Sequence, residues 1–132
     1  MISRLAATHM PPVPDSFRGI YAYGTLIHRP ETVLCLSGQI GMDADGRICA
    51  GFEAQCHQAM THVETLLEDG GLGIGDVLRV VYYVTDAAHL PALTAIRQAR
   101  WNIGTAPAVT TLVVAGLAHE DLLVEIEATA AR

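Results

Sequence analysis

Val109-Thr110-Thr111-Leu112-Val113-Val114-Ala115, followed after a polar turn by Leu122-Leu123-Val124-Glu125-Ile126-Glu127-Ala128-Thr129, decides how this chain folds. β-Branched residues dominate the first segment, and the second alternates strictly, so both read as strands of a half-buried sheet. The alternation places Val124, Ile126 and Ala128 on one face and Glu125 with Glu127 on the other. The turn between them covers Gly116 to Asp121. If that turn is tight, the two strands form a hairpin whose register sets Glu125 near Val109. Two carboxylates on an otherwise apolar strand either meet water or line a cleft in which one of them does chemistry. Periodicity by itself favours water.

Working outward, Val77 to Val84 is a β-prone run preceded by Asp76. Asp86 to Trp101 reads as a helix, with Pro91 near its start and Leu90, Leu93, Ile96, Ala99 and Arg100 at helical spacing; His89 is placed to cap it. Gly51 to Asp69 is the clearest helix, because Phe52, Cys56, Ala59, Met60, Val63, Leu66 and Leu67 fall on one stripe, and Gly70-Gly71 supplies the stop. Thr32 to Ile40 is a strand interrupted by Ser37-Gly38-Gln39, where a glycine signals a bulge or a close backbone approach. Asp43-Ala44-Asp45-Gly46 is a turn leading into Arg47-Ile48-Cys49. Phe17 to Gly24 is strand-like, with Tyr21 and Tyr23 on one side, and the proline-rich run Met10 to Pro14 makes residues 1–16 an extended arm. The predicted order is β-β-β-α-β-α-β-β, a single α+β domain over residues 1–132 with two helices on one face of a mixed sheet. The other face needs cover, which a symmetric partner could give.

A chain of 132 residues fits one domain and buries ~two-thirds of its unfolded surface. Hydrophobic residues make up 51% and charged ones 17%, with a mean hydropathy of +0.32. No run approaches the ~20 apolar residues that span a bilayer, so the excess implies a surface buried between subunits. The net charge of −6 and eight scattered basic residues, all arginine, argue against a nucleic-acid partner. Cys35, Cys49 and Cys56 are odd in number and lack metal-ligand spacing, which suits reduced thiols in the cytoplasm. Met1 to Met10 has no long apolar core, so no signal peptide is expected.

Few residues carry recognisable chemistry. His57 and His62 are five apart, not the four that aligns metal ligands on a helix, and the other histidines fall at turns or termini. Gly71-Leu72-Gly73-Ile74-Gly75 follows a helix and lacks the spacing of a nucleotide loop. Ser37 lies in Leu-Ser-Gly-Gln, which is not a nucleophile elbow, and its hydroxyl also suits a backbone bond at the bulge. Glu125 remains the strand carboxylate suited to acid–base work, with Tyr21 as a hydroxyl partner.

Leu36-Ser37-Gly38-Gln39-Ile40, the helix from Ala54-Gln55 to Gly71-Leu72, Gly75-Asp76-Val77, Pro107-Ala108 and Val124-Glu125-Ile126-Glu127-Ala128 together resemble the RidA family, also called YjgF or L-PSP endoribonuclease. The likeness runs from about Gly19 to the C-terminus. It implies a chorismate-mutase-like fold and a homotrimer with clefts between neighbouring subunits. The implied activity is hydrolysis of 2-imino and enamine acids to 2-oxo acids and ammonia, without metal or cofactor. By this resemblance Tyr21 is the cleft tyrosine, Ser37 the motif serine, and Glu125 the glutamate that orients the attacking water. Val109 stands where the imine-hydrolysing members have an arginine that grips the substrate carboxylate, and His62 stands where asparagine is frequent. Thr110, Thr111 and Arg18 complete the expected substrate-binding set, Arg18 being the candidate replacement cation. The implied function is a small-molecule hydrolase or deaminase acting on an imine, enamine or related metabolite, inefficient with 2-aminoacrylate because of Val109. A ligand-binding trimer without catalysis is the alternative. An endoribonuclease is disfavoured by the −6 charge.

Overall fold

The computed structural model describes residues 1–102, 104 and 106–132. The N-terminal arm is not wholly irregular. Ile2–Arg4 (β1) pairs antiparallel with Thr25–Ile27 (β2), and Thr25 anchors the ribbon by donating its hydroxyl to the Leu78 carbonyl at 2.8 Å. Phe17 to Gly24, expected as a strand, instead follows a 3-10 turn, Asp15–Phe17, and makes only an isolated parallel bridge, Ala22 to Ala108. The expected strand 32–40 divides into Val33–Cys35 (β3) and Gln39–Ile40 (β4). The turn at Asp43 to Gly46 is present, held by Asp43 Oδ1 accepting from the Asp45 and Arg47 amides, but it closes only a single bridge, Met42 to Ile48.

The first helix, Phe52–Asp69 (α1), buries the stripe that its periodicity marks: Phe52, Cys56, Ala59, Met60, Val63 and Leu67. Its end is a Schellman closure: Gly71 has φ +73°, its amide bonds to Glu68, and the Leu72 amide reaches back to the Leu67 carbonyl at 2.8 Å. Val77–Val84 (β5) is the central strand, buried on both faces at Val80, Val81, Tyr82 and Val84, which is why it reads as a continuous apolar run. Leu90–Arg100 (α2) follows a short 3-10 turn whose cap is Asp86, bonded to the Ala88 amide at 2.9 Å. His89 does not cap; its ring stacks on Phe52 with centroids 4.6 Å apart.

Ala108–Val113 (β6) and Val124–Ala131 (β7) complete the sheet, in the order β3-β7-β5-β6, with β4 also on β7. They do not form the expected hairpin. β6 pairs parallel with β5, β7 pairs antiparallel with the other edge of β5, and the connection between them crosses the end of β5. That connection is tied to the core: Gln55, buried on α1, donates to the Asp121 and Cys49 carbonyls and accepts from the Leu123 amide. A parallel β5–α2–β6 unit leaves the opposite edge of β5 open, and β7 takes it. Both helices pack on one face, against Val80, Tyr82, Val84, Val124, Ile126 and Ala128. No described helix covers the other face, where Glu125, Glu127 and Thr129 alternate with those core residues.

Candidate functional site

On the uncovered face, register fixes the neighbours of Glu125. It pairs with Tyr83 on one side and Ile40 on the other, while Glu127 pairs with Val81. Val109 is in register with Val80, on the helix side of the sheet, and packs against the core. The expected proximity of Glu125 and Val109 is therefore corrected: β5 separates their strands and they point to opposite faces.

Cys35 pairs with Thr129 but Gln39 pairs with Ile126, so four steps on one strand match three on the other. The extra residue is a bulge at Ser37-Gly38. The bulge brings backbone against Glu125: a Cβ on Gly38 would collide with Oε2 of that carboxylate. Ser37 is exposed beside it, and its carbonyl accepts from Gln39 Nε2 at 3.0 Å. The neighbouring open cavity, about 280 Å³, is lined by Gly38, Gln39, Ile40, Met42, Asp43 and His62. His62 Nε2 donates to the Met42 carbonyl at 2.7 Å, so the imidazole is committed to backbone there.

Tyr83, which the sequence reading did not single out, belongs to this group. Its hydroxyl donates to Glu127 Oε1. That bond holds the phenol above its ordinary range, with desolvation and the charges of Glu127 and Glu125 acting in the same direction and Arg79 opposing. Its signal was available, since a tyrosine at the alternate position to buried Tyr82 must face the carboxylate side.

Tyr21 and Arg18 lie elsewhere. Both line an open cavity of about 430 Å³ beneath the N-terminal arm, together with Arg4, Met10, Val13 and Tyr23. The Ala22 amide bonds to the Pro107 carbonyl at 2.8 Å, which holds this segment beside the start of β6. Tyr21 packs edge-on to Tyr23, with centroids 6.2 Å apart, and tilts on Phe17. Arg18 does not reach Glu125; it pairs with Asp15 at 2.5 Å and stays 76% exposed. Thr110 faces the same side as Glu127, both in register with Val81, whereas Thr111 follows Tyr82 onto the helix side. One chain thus carries two groups, Glu125 with Ser37-Gly38 and Tyr83, and Tyr21 with Arg18. The larger cavity is not lined by Glu125.

Residues 15–132, which contain both groups, match the family model described as Endoribonuclease L-PSP. The chain belongs to this family, the RidA or YjgF family. The 2-iminobutanoate/2-iminopropanoate deaminase of Salmonella typhimurium is 31% identical over 104 residues, covering 76% of this chain and 80% of the relative. The Escherichia coli K12 protein of the same name is 31% identical over 103 residues, with the same shares. Among solved structures, the Rid-family protein YyfB from Yersinia pestis superposes with a TM-score of 0.85 at 27% identity, over 99% of this chain and 98% of the other. The YjgF gene product of E. coli gives 0.70 at 29% identity, over 98% and 99%. E. coli TdcF with bound serine gives 0.71 at 25% identity, over 85% and 87%. The RidA fold inferred from the motifs is the fold observed.

Proposed function

We propose that this chain is a RidA-type deaminase that hydrolyses the C=N bond of a small imine or enamine, in a cleft completed by a second copy within a trimer. The observation that carries this reading is the seating of the Glu125 carboxylate against the Gly38 backbone on an uncovered sheet face. A half-buried carboxylate can accept a proton from water and aim its oxygen at the imine carbon. As the C–O bond forms, the C=N electron pair moves to nitrogen, which takes up a proton. The carbinolamine then collapses, the C–N bond breaks, and ammonia leaves with a carbonyl product. Tyr21 orients the substrate from the neighbouring subunit's cavity, with Arg18 and Thr110 at its rim. Ser37 offers a hydroxyl beside the bulge.

The trimer reading is supported by apolar side chains on the face that no described helix covers: Val33 is 57% and Leu112 44% exposed. Three free cysteines accord with a reducing cytoplasm. Val109 and Thr111 lie on the helix side and give no cation, which supports a substrate that does not depend on a carboxylate grip at Val109. No cofactor or metal enters this chemistry.

The test is ammonia release from 2-iminobutanoate, 2-iminopropanoate and uncharged imines generated in situ. The wild type should turn over at least one of them, and Glu125→Gln should lower kcat by ~10²-fold or more with Tm unchanged. Turnover that survives Glu125→Gln would remove the assigned role. Saturable ligand binding with no ammonia from any imine would replace the hydrolase by the ligand-binding trimer.

A further inference from the structure

The N-terminal arm walls the larger cavity and brings to it a cation that the sequence reading did not single out, Arg4. β1 holds the arm in register: Arg4 pairs with Thr25, and the Leu5 amide donates to the Gly24 carbonyl at 3.0 Å. Gly24 admits this approach, since a Cβ there would lie 2.6 Å from Leu5 Cδ1. The chain then turns at Ala7, which has φ +50° and whose carbonyl accepts from the Met10 amide at 2.9 Å. Beyond the turn, Met10 and Val13 line the same cavity as Arg4 and Leu5.

Arg4 Nε donates to the Ala106 carbonyl at 2.8 Å, which sets the plane of the guanidinium at the cavity wall. The terminal nitrogens form the edge that takes both oxygens of a carboxylate. Arg18 is the second cation on this cavity, but Asp15 holds it at 2.5 Å and it is 76% exposed, so its charge is compensated and screened. No carboxylate is among the described lining residues. The local potential therefore favours an anion. At about 430 Å³ the cavity also falls within the ~300–1,000 Å³ typical of small-molecule sites. The family-model match begins at residue 15, so Arg4 lies outside it.

We propose that Arg4 on the N-terminal arm is the specificity-determining cation of this cavity, gripping the carboxylate of an imino or enamino acid through its terminal nitrogens. The grip that Val109 cannot give is thereby moved from β6 to the arm. Tyr21 orients the reacting end of the same substrate, while Leu5, Met10 and Val13 meet its apolar part. This deepens the imine-hydrolase reading and rests on its placing of the substrate beside Tyr21.

Calorimetric titration of the full chain with 2-oxobutanoate, the product expected from 2-iminobutanoate, and with 2-oxobutanamide, its uncharged analogue, tests the grip without requiring turnover. The wild type should bind the anion roughly ten- to a hundredfold more tightly than the amide. Arg4→Gln, which keeps a donor for the Ala106 carbonyl and removes the charge, should erase that preference. It should also raise KM for 2-iminobutanoate by a similar factor, with a far smaller effect on kcat. If that variant does not fold, the Nε–H resonance of Arg4 in the ¹⁵N-labelled wild type decides, since 2-oxobutanoate must shift it more than the amide does. Equal wild-type affinity for anion and amide, a preference retained in Arg4→Gln, or an Arg4 resonance unmoved by 2-oxobutanoate would overturn the grip. Arg4-dependent anion binding with no ammonia from any imine would uphold the grip and remove the hydrolase reading; ammonia release without an anion preference would do the reverse.

Discussion

Gly38 has no side chain because Glu125 occupies the place where one would go. Gly38→Ala must therefore push the carboxylate aside or distort the bulge, and a displacement of about 1 Å costs ~10²-fold in a positioned reaction. The expected result is a fall in kcat of that order with a much smaller change in Tm, read from ammonia release and a thermal melt on the same sample; unchanged turnover would detach the bulge from the chemistry. Glycine within a strand pattern made this approach legible, because it announces either an extra residue or a close neighbour, and here it is both. Arg97 and Gln55 were not legible. Each is a polar residue at a helical position that packing, not composition, turns inward, and a single sequence holds no sign of which polar residue will be buried. Gln55 shows itself only through three partners scattered over Cys49, Asp121 and Leu123.

Among the elements, α1 and β5 were readable to within a residue, since one has a single apolar stripe and a glycine stop and the other is apolar throughout. The pairing of β6 with β7 was misread because strand character was inferred correctly and adjacency was not. The alternation of β7 defines its two faces whichever strand lies beside it, so the pattern could not reveal β5 in between. The three-residue β2 was too short to register as a period. Two outcomes belong at this scale. Gln55→Leu should cost about 3 kcal/mol, as it strips the Leu123 amide and two carbonyls of their buried partner, and urea denaturation measures this directly. Asp76, just before β5, accepts from Arg132 at 2.8 Å and from the Gly73 amide at 2.9 Å. The Arg132 bond is the main reason its carboxyl is held below the usual range. A depressed folded value means that its stabilisation is complete above the unfolded pKa of ~3.9 and is lost as pH falls through the folded one. Asp76→Ala should lower stability by about 1 kcal/mol at neutral pH through the lost turn bond, and the gap to wild type should close as pH falls through the depressed folded pKa of Asp76. A gap that persists there would assign the effect to packing.

For the whole molecule, the separation of the two residue groups becomes a measurable property of the assembly. Tyr21 lines a cavity at one end of the sheet edge, and Glu125 stands on the open face against Gly38. If one cleft draws Tyr21 from one subunit and Glu125 from its neighbour, two inactive variants can repair each other. Tyr21→Phe and Glu125→Gln, each assayed alone, should both be strongly impaired. Unfolded together in equal amounts and refolded, they should form mixed trimers if the assembly is the proposed one. A cleft is intact only when its tyrosine comes from the Glu125→Gln chain and its glutamate from the Tyr21→Phe chain. Each condition holds for half the subunits, so roughly a quarter of wild-type activity should return. A site built within one chain would return none, because every chain carries one lesion. Sedimentation of the same mixture supplies the control: a stable monomer at micromolar concentration would remove the neighbour altogether, while a trimer without recovered turnover would place both groups of the working site in a single subunit.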